Sequence, residues 1–417
     1  MRTIVWLLLL AVAAVVGATA LGGNDGLVTI FWLGWRTDIS LNLFLLGLVL
    51  IFLTVYSMTR GLNGLLALPE RAKRWRVAQR DRLAQAALRE GLSMYMAGRY
   101  TRAHKACQKA VSIQADTPEL TLDAEFTALA NLLSAGSLHR LQDRTRRDEH
   151  IKRALDLSRL TRKPRATEEG ARLLAAECAL DDRDAHRALR DLAELPAGVA
   201  RRTQALRLKL QASRLARQPM EALKTARLLA KHQGFAASAA EGLLRALATE
   251  ALATARDADQ LRTLWQSLDA QDRRDPLVVA HGARRMAELG AHVEARQWLA
   301  PLWDRIAQLP VDAIEALSDA LSHSLIGLEA EWLPRLDATT PAALRNPALA
   351  LTLGLALSER QLWGKSRGML LSAANDLQLD LPRRRVAWAK LGQLAERENR
   401  ADEAARFYRL AALLKHD

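Results

Sequence analysis

Two uncharged apolar runs open the chain, and they fix where everything after them must sit. Residues 4–21 read IVWLLLLAVAAVVGATAL, with no charged side chain between Arg2 and Asp25, and residues 39–59 are likewise free of charge. A helix of about 20 apolar residues spans about 30 Å of hydrocarbon, where the backbone can satisfy its hydrogen bonds only within the segment. The runs are therefore read as membrane helices over residues 4–21 and 39–58, joined by a short extracytoplasmic loop, residues 22–38. A cleaved signal peptide is the rival for the first run, which starts at Arg2 and carries Gly17, Ala18 and Ala20. Against it, the run exceeds the usual apolar region of about 7–15 residues and a second run follows closely.

Charge sets the expected orientation. The loop has Arg36 against Asp25 and Asp38, whereas the next stretch carries Arg60, Arg71, Lys73, Arg74, Arg76, Arg80 and Arg82. The positive-inside rule then places both termini in the cytoplasm. The loop sequence GLVTIFWLGWRTDIS sets β-branched and aromatic residues on either side of Gly34, which suits a small hairpin with Trp32 and Trp35 at the headgroup level. Residues 60–83 are expected to form a basic juxtamembrane helix interrupted near Pro69. On it, Leu62, Leu65, Leu66 and Trp75 would lie on the membrane while Arg60, Lys73, Arg74 and Arg76 meet phosphates. A plain linker helix is the alternative.

The remainder of the 417 residues exceeds a usual single core, which implies two domains or a repeat array. Ala, Leu and Arg dominate and alternating Val, Ile and Thr are missing beyond the loop, so the chain reads as all-α. The net charge of +14 does not make it a nucleic-acid binder, since its basic residues are mostly arginines spread beside Glu and Asp. Cys107 and Cys178 fall in segments assigned to the reducing cytoplasm, where no structural disulfide is expected.

A repeat signal begins after the basic helix. In residues 84–117 small and apolar residues recur at helical spacing, Gly98 and Tyr100 mark a turn, and Ala103, Cys107 and Ala110 follow on a second helix. This is the 34-residue tetratricopeptide pattern, with Gly91 allowing close approach of the paired helices. Residues 385–417 give the best copy, with Trp388, Leu391, Gly392, Ala404, Tyr408 and Ala411 at the consensus spacings. Between these ends the small residue of the second helix recurs at Ala188, Ala222, Ala295, Ser366 and Ala404, with intervening units containing Trp265 and Trp332. Pro118, Pro164, Pro196, Pro219, Pro276, Pro310, Pro341, Pro347 and Pro382 are placed in or beside turns. Residues 84–417 are thus expected to form a cytoplasmic right-handed α-solenoid of about nine helix pairs, irregular around residues 134–148.

Signatures of catalysis are missing: no phosphate-binding glycine loop, no H-E-x-x-H and no C-x-x-C. No enzyme activity, cofactor or metal site is assigned. His104 and Cys107 could share a helix face as a ligand pair, but Cys107 holds a position that packs between helices. Asp181, Asp182 and Asp184 read as a solvated turn. Tetratricopeptide arrays bind partners along the groove formed by their first helices. Counting from Leu210, that groove should present Gln204, Arg207, Gln211 and Arg214, and in a later unit Arg284. These donors suit carboxylates of an acidic partner segment or of porphyrin propionates.

Together, the loop GLVTIFWLGWRTDISLNL, the segment LPERAKRWRVAQRDRLAQAALREGL, the repeat AGRYTRAHKAC and the stretch LALSERQLWGKSRGMLLSA resemble the proteobacterial HemY family, tetratricopeptide inner-membrane proteins associated with haem biosynthesis. The resemblance implies action in a late step of protohaem synthesis, as a non-enzymatic scaffold that organises or couples haem-synthesis enzymes. A tetrapyrrole-binding carrier and a general envelope-assembly adaptor are the alternatives. A flavin-dependent protoporphyrinogen oxidase that shares the name is unrelated, and no dinucleotide fingerprint is present here.

Overall fold

The computed structural model describes residues 26–414 apart from 67, 122, 160–165 and 233–235, with Ala13 and Gly17 besides. The first expected span, residues 4–21, therefore lies outside the described residues except at those two positions. The chain divides into two compact units, Met1–Leu141 and Gln142–Asp417.

The first unit opens on an antiparallel hairpin of β1 (Leu27–Trp32) and β2 (Trp35–Ser40), in which Trp32 faces Trp35 and Val28 faces Ile39. Leu33 and Gly34 connect the strands with φ of 45° and 87°. Two successive positive values suit the right-handed twist of a two-residue hairpin. Helix α1 (Leu41–Leu66) follows without a linker, and the Leu41 N–H donates to the Gly26 carbonyl at 2.8 Å. Ser40 Oγ accepts from the Leu43 N–H at 3.3 Å, covering one of the donors a helix start leaves open. Residues 41–62 have a mean hydropathy of 2.2 and are long and apolar enough to cross a membrane, the one such helix among the described residues. The expected second span is thereby corrected: strand pairing takes Ile39 and Ser40, and the helix runs on past residue 58.

The basic helix expected over residues 60–83 is not a separate element. Residues 60–66 finish α1, and the rest belongs to α2 (Leu68–Met96), which carries Pro69 in its first turn and runs unbroken into the first repeat. Helices α3 (Tyr100–Ala115) and α4 (Ala124–Arg140) complete this unit. Gly98, between α2 and α3, has φ +72°, a conformation that costs an L-residue energy and glycine none.

The second unit starts with α5 (Arg144–Arg159), α6 (Ala166–Asp181), α7 (Ala185–Ala193), the single turn α8 (Ala197–Ala200), α9 (Thr203–Leu215) and α10 (Pro219–Lys231). It continues through α11 (Ala237–Ala253), α12 (Ala258–Ser267), α13 (Pro276–Glu288), α14 (His292–Trp303), α15 (Val311–Ser322) and α16 (Leu333–Ala343). It ends in α17 (Pro347–Glu359), α18 (Trp363–Asn375), α19 (Leu381–Arg397) and α20 (Ala401–Leu413). Beyond the hairpin and α1, the described residues are almost wholly helical, in line with the expected all-α array. In the second unit most helices pack on their sequence neighbours, and α11, α13, α15, α17 and α19 also pack successively on one another. This nearest-neighbour stacking is the logic of a helical repeat array.

The turns show the repeat more clearly than the side chains do. Gly98, Gln142, Arg183, Arg217, Gly290, Gln361 and Asn399 all have positive φ. Five residues after each comes the position that packs on the partner helix: Ala103, Arg147, Ala188, Ala222, Ala295, Ser366 and Ala404, every one buried. Six of these are small, as the sequence led us to expect, and Arg147 is the exception. Proline placement was right at the helix starts Pro219, Pro276, Pro347 and Pro382. Pro341 is a correction: it sits inside α16, near enough to the helix end that the missing donor removes only one late hydrogen bond. Pro164 lies outside the described residues.

Candidate functional site

The groove residues come from α9. Buried Leu206 and Leu210 fix the inner stripe of that helix, which turns Gln204, Arg207, Gln211 and Arg214 outward on an exposed face. Arg207, Gln211 and Arg214 line one depression of about 480 Å³, floored by Leu210 and Leu229 and faced by Glu250 of α11. Gln204 stays outside it. Among the described residues, neither Arg207 nor Arg214 forms an ion pair, so this wall offers two guanidinium groups to solvent, with Glu250 across the depression from them.

Arginines on the later first helices are already spent. Arg245 pairs with Asp275 at 2.9 Å, and Arg284 with Glu288 at 3.1 Å and Asp319 at 3.0 Å. Arg383 leans toward the same Asp319 at 3.9 Å and toward Glu315 at 4.0 Å. The charge of Arg284, expected in the groove, is neutralised across α13 and α15. Beside it, His281 shares a pocket of about 310 Å³ with Arg285 and Glu288. Burial, reinforced by the neighbouring Arg284, pushes His281 below the usual imidazole range, so it is neutral at pH 7.

The membrane-proximal cations are exposed, each with a local partner. Arg60 donates to the Tyr56 hydroxyl at 3.2 Å, Lys73 pairs with Glu119 at 3.1 Å, Arg74 with Glu70 at 4.0 Å, and Arg76 donates to the Ala72 carbonyl at 3.4 Å. Ion pairs this exposed contribute about 0–1 kcal/mol and compete poorly with a phosphate. Of the expected apolar contacts, Leu62 and Trp75 are exposed, and nothing is described of the side chains of Leu65 and Leu66. Arg80 was not singled out from sequence. It donates to the Asp116 carbonyl at 3.0 Å and Thr117 Oγ1 at 3.1 Å, tying α2 to the α3–α4 connection.

A Cβ on Gly91 would come within 2.7 Å of Cys107 Sγ, and one on Gly392 within 2.6 Å of the Tyr408 ring. Ala103, Ala110 and Ala404 are buried, and Trp388 stacks on Phe407 at 5.7 Å. Sequence reasoning missed Gly354, whose Cβ would meet Leu370 at 2.6 Å. It also missed Arg147, which pairs with Asp182 at 2.6 Å and Asp148 at 2.8 Å, and Arg296. The buried Arg296 holds Glu329 at 2.8 Å and caps the carbonyls of Ser324, Ile326 and Gly327, so it fixes the connection from α15 to α16.

No group of three or more His, Cys, Asp or Glu among the described residues could hold a metal ion. Cys107 is buried beside Gly91, and burial pushes its thiol up to about 11; Cys178 is likewise pushed up to about 12. The acidic turn is structural. Asp182 pairs with Arg144 and Arg147, and Asp184 caps α7 by accepting from the Arg187 N–H at 2.9 Å.

The family described as "HemY protein N-terminus" matches residues 26–132, from the hairpin into α4. No curated protein matches the chain. Among solved structures, the APC/C hetero-tetramer Cut9-Hcn1 is similar over 79% of this chain and 66% of that chain, with 14% identity and a TM-score of 0.29. The chain thus spans slightly less than two thirds of that protein, and a likeness this distant carries no argument about function.

Proposed function

The chain belongs to the HemY family through its residues 26–132, and on that premise we propose a non-enzymatic scaffold of the bacterial inner membrane that acts beside haem biosynthesis. Two spans hold it, with both termini in the cytoplasm, and the repeat array recruits late haem-synthesis enzymes through an acidic segment. One observation supports the recruitment step above others: Arg207 and Arg214 lie on one groove wall without an ion pair among the described residues, while Arg245 and Arg284 on later first helices are paired. Seven helical residues separate them, about 10 Å along the axis, which suits two carboxylates on one extended segment. Holding enzymes and a hydrophobic intermediate at one bilayer surface raises their effective concentration without further contacts.

Capture from detergent-solubilised membranes tests this reading. Late haem-synthesis enzymes should copurify with the wild-type chain and be lost with Arg207→Glu plus Arg214→Glu. A strain lacking the gene that made normal haem and accumulated no porphyrin would sink it. A tetrapyrrole carrier is the second reading, favoured by neutral His281 beside Arg284 and Arg285. It requires a Soret shift on haem titration that His281→Ala abolishes. No His or Tyr lines the Arg207–Arg214 depression, which weighs against carriage there.

A further inference from the structure

The hairpin of β1 and β2 is two-faced. Its register puts Val28 opposite Ile39, Ile30 opposite Thr37 and Trp32 opposite Trp35 on one face, apart from Thr37 wholly apolar. The other face carries Leu27 opposite Ser40, Thr29 opposite Asp38 and Phe31 opposite Arg36; it is the more polar of the two, and there the Thr29 hydroxyl donates to Asp38 at 2.6 Å and Arg36 pairs with the same carboxylate at 3.4 Å. An isolated two-stranded hairpin is marginal in water. This one nevertheless leaves Trp32, Trp35 and Leu33 exposed at 73%, 79% and 89%.

Leu33 carries the argument. At φ 45° it occupies the first of two left-handed turn positions, where Asn, Asp or Gly would be favoured. Leucine gains nothing there in water, since its side chain touches almost nothing. Its presence at a strained, outward tip is explained by a second phase that receives it. The neck of the hairpin supplies that phase: Ser40 is the cap of α1, and the Leu41 N–H is bonded to Gly26, so no slack separates the strands from an apolar helix long enough to span a bilayer.

We infer that the hairpin lies flat on the lipid surface at the start of α1, with its Val28–Ile30–Trp32 face and the Leu33 tip in the headgroup–acyl boundary. Thr29, Arg36 and Asp38 face water. A six-residue strand is about 20 Å long, so a hairpin standing upright would carry its apolar tip away from the membrane, and only the flat arrangement buries both neck and tip. Such a blade fixes the depth and rotation of α1. This inference rests on the reading of α1 as a membrane span.

The test uses the full chain in phosphatidylethanolamine–phosphatidylglycerol vesicles, with an environment-sensitive fluorophore on single introduced cysteines. Buried Cys107 and Cys178, with thiols pushed up to about 11 and about 12, leave little background. Labels at Ile30→Cys and Leu33→Cys should be blue-shifted, several-fold brighter than one at Asp38→Cys, and quenched by shallow spin-labelled lipid. The Asp38 label should be quenched by aqueous iodide. Equal iodide quenching at all three positions, with a Leu50→Cys label still in lipid, overturns the inference and leaves the span intact. Protection at Ile30 without lipid quenching gives the face to protein and overturns it too. A Leu50 label in water removes the span itself and the inference with it. Leu33→Asn separates folding from anchoring: the turn is better suited, yet the blue shift at Ile30 should shrink.

Discussion

At Gly392 the space for a side chain is already filled, because the Tyr408 ring stands where a Cβ would go. Gly392→Ala gains about 1 kcal/mol of helix propensity, but overpacking costs about 1–3 kcal/mol. A net loss should appear as a lower urea midpoint, and Gly354→Ala should behave alike against Leu370. Arg217 presents the opposite case: it holds φ 54°, and its side chain has no hydrogen-bond or ion-pair partner among the described residues. Arg217→Gly should raise stability by about 0.5–1 kcal/mol, read from the same midpoint. The contrast explains what could be read in advance. Gly91 and Gly392 stand among consensus aromatics and were legible. Gly354 sits in a run of Ala and Leu with no such marker, and the left-handed residues are Gly at some turns but Arg, Gln or Asn at others.

At the scale of the element, the second repeat departs most from expectation. Where the other units bury a methyl or hydroxyl, α5 buries the guanidinium of Arg147 between Asp148 and Asp182. Removing one member of such a cluster leaves uncompensated charge inside, so Arg147→Ala should cost about 3–5 kcal/mol. A Met in its place, filling the volume without charge, should cost less. Hydrogen bonding to Arg147 holds Asp182 below the usual carboxylate range, and Arg296 does the same to Glu329. A depressed carboxylate stabilises the fold above its unfolded value and loses that contribution as pH falls through the folded one. Unfolding curves should therefore be flat with respect to these groups at neutral pH and lose midpoint below about pH 4. Arg147→Met should blunt the acid loss from Asp182. The long connection expected over residues 134–148 is a correction: α4 runs to Arg140 and α5 starts at Arg144, so a three-residue turn joins them. Placing Arg147 requires the register of the turn at Gln142, and no glycine marks it.

At the scale of the molecule, an apolar helix and a basic repeat array share one chain. The proposed contacts of Arg207 and Arg214 with an acidic partner would be screened by salt. Capture should weaken severalfold between low and high ionic strength, and Arg207→Glu plus Arg214→Glu should remove that salt dependence along with the binding. The array was legible because helical spacing and small residues recur without need of any particular partner. The groove was half legible: exposure of Arg207, Gln211 and Arg214 follows from the period of α9, whereas the neutralisation of Arg284 depends on Asp319. That residue lies a repeat away, and no local pattern announces it.

Because each helix pair in the second unit rests mainly on its neighbours, the order of synthesis becomes an order of assembly. The apolar helix of residues 41–62 leaves the ribosome before any pair beyond it exists. Translation at about 5–20 residues per second then delivers each further pair within seconds, onto a predecessor already able to receive it. A nascent chain of this kind never has to hold much unfolded apolar surface at once. Interrupting it at a repeat boundary should leave a shorter protein that is folded and already anchored.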